Sequence, residues 1–103
     1  MYAVTRPQGA SGANQSNVAS AITDTLLLAA NPARMGGTIS NESTSVLYIS
    51  LGIAAASATN YWKAVGPTAT VASSVELPTG YTGQVRGIWV SANGFARITE
   101  LIG

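Results

Sequence analysis

Residues 45 to 51, Ser-Val-Leu-Tyr-Ile-Ser-Leu, set the dominant pattern of the chain. Leu47, Ile49 and Leu51 alternate onto one face, the period of a half-buried strand. A short extended run, Gly37 to Ser40, precedes it across the polar residues Asn41 to Thr44, a spacing that predicts a β-hairpin. Further runs follow. Tyr61 to Val65 stops at Gly66-Pro67, and Thr70 to Leu77 stops at Pro78. Gln84 to Val90 follows the turn residues Tyr81-Thr82-Gly83. Asn93-Gly94 then has the chemistry of a two-residue type I′ turn and predicts a hairpin into Phe95 to Leu101. Ala21 to Ala30 carries a possible helical face in Ile22, Leu26 and Ala29. Its β-branched Ile22, Thr23 and Thr25 favour a strand that ends at Asn31-Pro32.

Helical periodicity of any length is missing. Short strands punctuated by Gly, Pro and Asn predict an all-β domain over residues 21–103. Its expected form is a small antiparallel β-sandwich or barrel of about six or seven strands. Residues 1–20 read differently. From Arg6 to Ser20, Val18 is the one large apolar side chain amid Gly, Ala, Ser, Asn and Gln. Such a segment buries too little to order itself, and it predicts an extended N-terminal arm that settles on a partner.

Composition changes this picture chiefly by exclusion. The 103 residues include no His and no Cys. That removes disulfides, thiolate nucleophiles, Ser–His pairs and zinc-type ligand sets. The four carboxylates, Asp24, Glu42, Glu76 and Glu100, are scattered, and Lys63 is the one lysine. No metal site, no cofactor site and no catalytic residue is expected, and the chain is read as a non-enzyme. Five cations against four anions give no basic footprint for nucleic acid. The apolar runs Leu26 to Ala30 and Leu51 to Ala56 are far short of the ~20 residues of a membrane-spanning helix. The N-terminal octet lacks the apolar stretch of a secretory signal.

Charged residues are 9% of the chain, against about 25% in an average soluble domain. Interface centres are depleted in charge, so low charge favours a domain packed against neighbours. On this reading the few charges sit mainly at rims and solvent-facing loops, and the neutral Ala, Ser and Thr surfaces make the contacts. Among the aromatics, Trp89 and Tyr48 are expected in the core, and Trp62, beside Lys63, is expected as a surface anchor. The candidate interface residues are Tyr2, Val4, Arg6 and Val18 on the arm and Tyr61 and Trp62 on the domain.

A family resemblance arises from several segments in order. They are Leu26 to Arg34, Thr38 to Ser43, Val46 to Gly52, Ala58 to Tyr61, Glu76-Leu77-Pro78, Tyr81-Thr82-Gly83, Gly87-Ile88-Trp89 and Ala92 to Leu101. Together they resemble small all-β virion proteins of tailed bacteriophages, over about residues 21 to 102. The Ala-rich loop 53–58 departs from that pattern. The resemblance implies a structural role, most directly a capsid decoration or cement protein. It implies contacts with the major capsid protein or other virion proteins, homo-oligomerisation, and a location on the capsid surface after assembly in the host cytoplasm. A head–tail adaptor or fibre-attachment protein is the alternative within the particle. A surface carbohydrate-binding module using Tyr61 and Trp62 is the alternative of another class.

Overall fold

The computed structural model describes residues 11–52, 55–67 and 73–103. Among these residues eight strands run in chain order: β1 (Gly12–Ala19), β2 (Thr25–Leu28), β3 (Arg34–Glu42), β4 (Leu47–Leu51), β5 (Lys63–Val65), β6 (Ser73–Glu76), β7 (Val85–Trp89) and β8 (Phe95–Ile102). They form two four-stranded sheets in which every pairing is antiparallel. The first has the order β1-β8-β3-β6 and the second β2-β7-β4-β5. The all-β expectation is met in this form, with one strand more than the sequence pattern suggests.

The extra strand is β1. The described part of the expected arm lies along β8 in continuous register, from Gly12 opposite Ile102 to Ala19 opposite Phe95. Hydrophobicity alone could not reveal it, because only Val18 on this strand packs against the core. Its order comes from the backbone ladder with β8.

The core lies between the sheets and follows the period of two. The first sheet contributes Ile39, Ala96 and Ile98; the second contributes Leu27, Leu47, Ile49, Val65, Val85 and Trp89. Gly87 sits where a Cβ would come within 2.8 Å of Leu27 and 2.9 Å of Leu47. Its missing side chain lets these two leucines close over the β7 backbone.

Both expected hairpins are corrected by the topology. β3 belongs to the first sheet and β4 to the second; β7 belongs to the second and β8 to the first. The chain therefore changes sheets at 43–46 and again at 90–94. Only the β4–β5 connection stays within one sheet. Among the described residues the glycines of positive φ are Gly52 and Gly80 and not Gly94, so Asn93-Gly94 is no type I′ turn. A Cβ on Gly94 would stand 2.1 Å from the Glu42 carbonyl oxygen. Glycine is needed there for close approach of two crossing backbones. Asn93 supplies the link: its Oδ1 accepts from the Thr44 amide at 3.1 Å, and its Nδ2 donates to Thr44 Oγ1. The turn-forming residues are thus present, but they join two corners side by side.

Each end of the sandwich is pinned by a buried polar group. At the 43–46 and 90–94 end, Asn41 is fully buried. Its Nδ2 donates to the carbonyls of Ser45 (2.8 Å), Val65 (3.0 Å) and Gly66 (3.1 Å). Its Oδ1 accepts from Ser43 Oγ (2.8 Å) and Trp89 Nε1 (3.0 Å). At the other end the Arg34 guanidinium is buried. Nε donates to Glu100 at 2.7 Å, and the terminal nitrogens reach the carbonyls of Ala29, Tyr81 and Gly83. Arg34 and Glu100 are exceptions to the expectation that charges sit mainly at rims and loops: they form a buried pair inside the fold.

Candidate functional site

The outer faces of the two sheets differ in chemistry. On the first sheet, the central cross-strand rows Gln15–Thr99–Thr38–Glu76 and Asn17–Arg97–Ser40–Ser74 are polar, and Phe95 and Leu101 stand exposed at the two ends of β8. Two shallow depressions lie on this side, over Gln15 to Asn17 with Arg97 to Thr99, and beside Met35 to Thr38 with Glu76 and Leu77.

The second sheet has apolar residues on both faces. Leu47, Ile49, Val85 and Trp89 point inward, so the intervening Tyr48, Ile88 and Val90 point out. One outward row runs Ala64–Tyr48–Ile88. Beyond it Val46 and Val90 meet through the bond from the Val90 amide to the Val46 carbonyl, at 3.2 Å. On the far side of that row, Leu26 lies opposite Arg86. Val90 (62% exposed) and Leu26 (43%) lie on this face and Tyr61 (45%) beside it; Ile22 (63%) precedes β2, while Phe95 and Leu101 are exposed on the outer face of the first sheet. A sheet face that carries several exposed apolar side chains is a candidate contact surface.

The loop between β4 and β5 completes this face. The Trp62 amide donates to the Ile49 carbonyl at 2.7 Å. Tyr61 then lies against Tyr48, ring centroids 4.8 Å apart and tilted by 55°. Such a pair contributes about 0.5–1.5 kcal/mol beyond its buried area. Tyr48, expected in the core, is half-buried on the outer face. Trp62 is half-buried and packs against the core, with Lys63 Nζ 5.8 Å from the ring centroid. Of the other candidate interface residues, Val18 packs on the core from β1, while Tyr2, Val4 and Arg6 lie outside the described residues.

Three of the four carboxylates are held by arginines. Asp24 pairs with Arg86, Glu42 with Arg97 and Glu100 with Arg34. The Asp24–Arg86 pair borders the apolar face. Asp24 Oδ2 accepts from Arg86 Nε at 2.8 Å, and Oδ1 accepts from the Ala56 amide at 2.8 Å, which fixes the loop carrying Tyr61. The hydrogen bond from Arg86, with the bond from Ala56, holds the Asp24 carboxyl below its ordinary value of 3.8, against partial desolvation. A lowered folded-state pKa stabilises the protein above the unfolded value, and that stability is lost as pH falls through the folded one. Stability should therefore drop below about pH 4, and Asp24→Asn should weaken this acid dependence. Urea titrations across pH 2–7 check this. Among the described residues no group of three or more Asp or Glu could hold a metal ion.

No family model, no curated protein and no solved structure matches this chain. The site therefore rests on its own geometry: an apolar outer face with an aromatic pair at one edge and an ion pair at the other.

Sequence reasoning did not single out Leu26, Ile88 and Val90 as outward-facing apolar residues. The signal was present as runs apolar on both strand faces, Val46-Leu47-Tyr48-Ile49 and Ile88-Trp89-Val90. A strand with one solvated face alternates cleanly; these do not.

Proposed function

We propose that this chain is a structural component of a bacteriophage particle that decorates and stabilises the capsid shell through symmetric non-covalent contacts. The observation that carries the reading is the apolar outer face of the second sheet. A rigid sandwich with an exposed apolar face suits a domain that is seated on a larger surface. Arginine–carboxylate pairing inside the chain supports it too: Asp24, Glu42 and Glu100 are already engaged, so docking need not strip water from unpaired charges. Repetition on a symmetric shell lets modest contacts per copy add up, because each neighbour raises the effective concentration of the next.

The face also indicates which residues would touch the shell. Val90 and Ile22 are both more than half exposed, so lysine at either position leaves the core intact and should change stability by no more than about 0.5 kcal/mol. Particles assembled with the unaltered chain should carry it in fixed ratio to the shell's repeating subunit, by quantitative gel densitometry. Val90→Lys and Ile22→Lys chains, folded by circular dichroism, should be lost from those particles. A copy number matching a single ring would place the chain at the head–tail junction. Full incorporation of both lysine variants would remove this face from the contact.

A further inference from the structure

The two sheets have four edge strands, and three of them carry features that discourage pairing with another chain. β2 is four residues long, is broken by a register shift between Leu26 and Leu28, and follows Asp24. β5 is three residues long, begins with Lys63 and is followed by Gly66-Pro67. β6 is four residues long, ends in Glu76 and is followed two positions on by Pro78. Shortness, charge, proline and irregular register are the usual protections of a sheet edge.

β1 has none of them. It runs eight residues, Gly-Ala-Asn-Gln-Ser-Asn-Val-Ala, in unbroken register with β8. From 11 to 20 there is no charge and no proline. Among the described residues it pairs only with β8, so alternate amides and carbonyls along it face outward. The strand also stands clear of the second sheet. Asn14 and Ser16 point to the same side as the buried Ile98 and Glu100, yet both are exposed.

We infer that the free edge of β1 pairs antiparallel with β1 of a second copy of this chain. Self-pairing fits because antiparallel strands related by a twofold axis meet their own sequence, and like charges opposite each other would repel. This strand presents only neutral side chains to itself. Asn14, Gln15, Ser16 and Asn17 each carry a group able to hydrogen-bond whichever of these residues lies opposite it across the axis. The two first sheets then become one continuous eight-stranded sheet, within the normal size range. A twofold axis between antiparallel strands stands perpendicular to the sheet, so both second sheets lie on the same side of it. Their two apolar outer faces therefore point the same way, as a bivalent dock would. The dimer does not depend on the particle reading, because it forms from purified chain alone.

Sedimentation equilibrium of the full chain over a concentration series tests this. The unaltered protein should reach twice the 10.4 kDa chain mass. The double variant Gln15→Lys/Asn17→Lys changes exposed side chains on the outer face of the edge strand. It should sediment as a monomer at every concentration while keeping its circular dichroism, with a melting temperature that no longer depends on concentration. Ser74→Lys, on the same face but on β6, should remain dimeric. Amide exchange along β1 should slow as protein concentration rises, only in the unaltered chain and the Ser74→Lys control. A monomeric unaltered chain whose β1 amides are nevertheless protected would mean that residues 1–10 of the same chain cover the edge, and would overturn the proposal. So would a dimer that the edge lysines leave intact, or a monomer with fast-exchanging β1 amides.

Discussion

Replacing Arg34 with methionine should destabilise the domain by about 3–5 kcal/mol, the range for breaking a buried ion pair by removing one partner. The Arg34 side chain is fully inaccessible, and that of Glu100 is 10% exposed. The substitution leaves the Glu100 carboxylate in the sheet interface without its cation. It also removes the donors to Ala29, Tyr81 and Gly83, whose carbonyls belong to two separate connections. A domain of this size shifts its melting temperature by about 4–8 °C per kcal/mol. Thermal unfolding should therefore fall by at least about 12 °C, or the variant should fail to accumulate folded. A second variant separates the two contributions. In Arg34→Met/Glu100→Met the stranded carboxylate is gone, but the three carbonyls still lack their donor. It should recover part of the loss and remain below the unaltered chain by about 2 kcal/mol or more. Full recovery would mean that the guanidinium serves Glu100 alone.

The second large effect is expected at Asn41. Its amide donates to the carbonyls of Ser45, Val65 and Gly66, on the β3–β4 connection and at the end of β5, and accepts from Ser43 and Trp89. Leucine keeps the branched shape but is larger and has no polar atoms, so Asn41→Leu leaves several buried groups unpaired at about 1–3 kcal/mol each. A total loss of about 3 kcal/mol or more should appear as a lower urea midpoint. Trp89→Phe removes one of the two donors to Asn41 Oδ1, and Ser43 keeps the other satisfied. Its cost should lie closer to that of a core shape change, about 1–3 kcal/mol. If the two variants lost equal stability, Asn41 would act only by filling space.

These two residues also show where sequence reading stops. The strands of the core were legible because Leu47, Ile49 and Leu51 alternate and because Pro67 and Pro78 mark stops. The sheet assignment was not, because a corner between sheets and a hairpin draw on the same polar residues. What separates them is the pairing of β3 with β8 and of β4 with β7, and strand partners that distant leave no local trace. Arg34 and Glu100 stand 66 residues apart, so each reads alone as a surface charge. β1 was hidden for another reason: its neutral polar sequence is that of a loop, and only the exposed backbone of β8 makes it a strand.

The candidate site was legible in part. Tyr61 was singled out, and the structure sets it against Tyr48 on an exposed face. The remainder of that face was hidden because an apolar strand residue reads as core by default. Ile88 and Val90 point outward only because Trp89, between them, is buried.

The most direct measurement of the central claim is a cryo-EM map of the intact particle at side-chain resolution. The density of this chain should rest on the shell through the outer face of the second sheet, with Tyr48, Ile88 and Val90 covered by shell subunits. A map in which that face is open to solvent, or in which the chain has no density on the particle, would contradict the account.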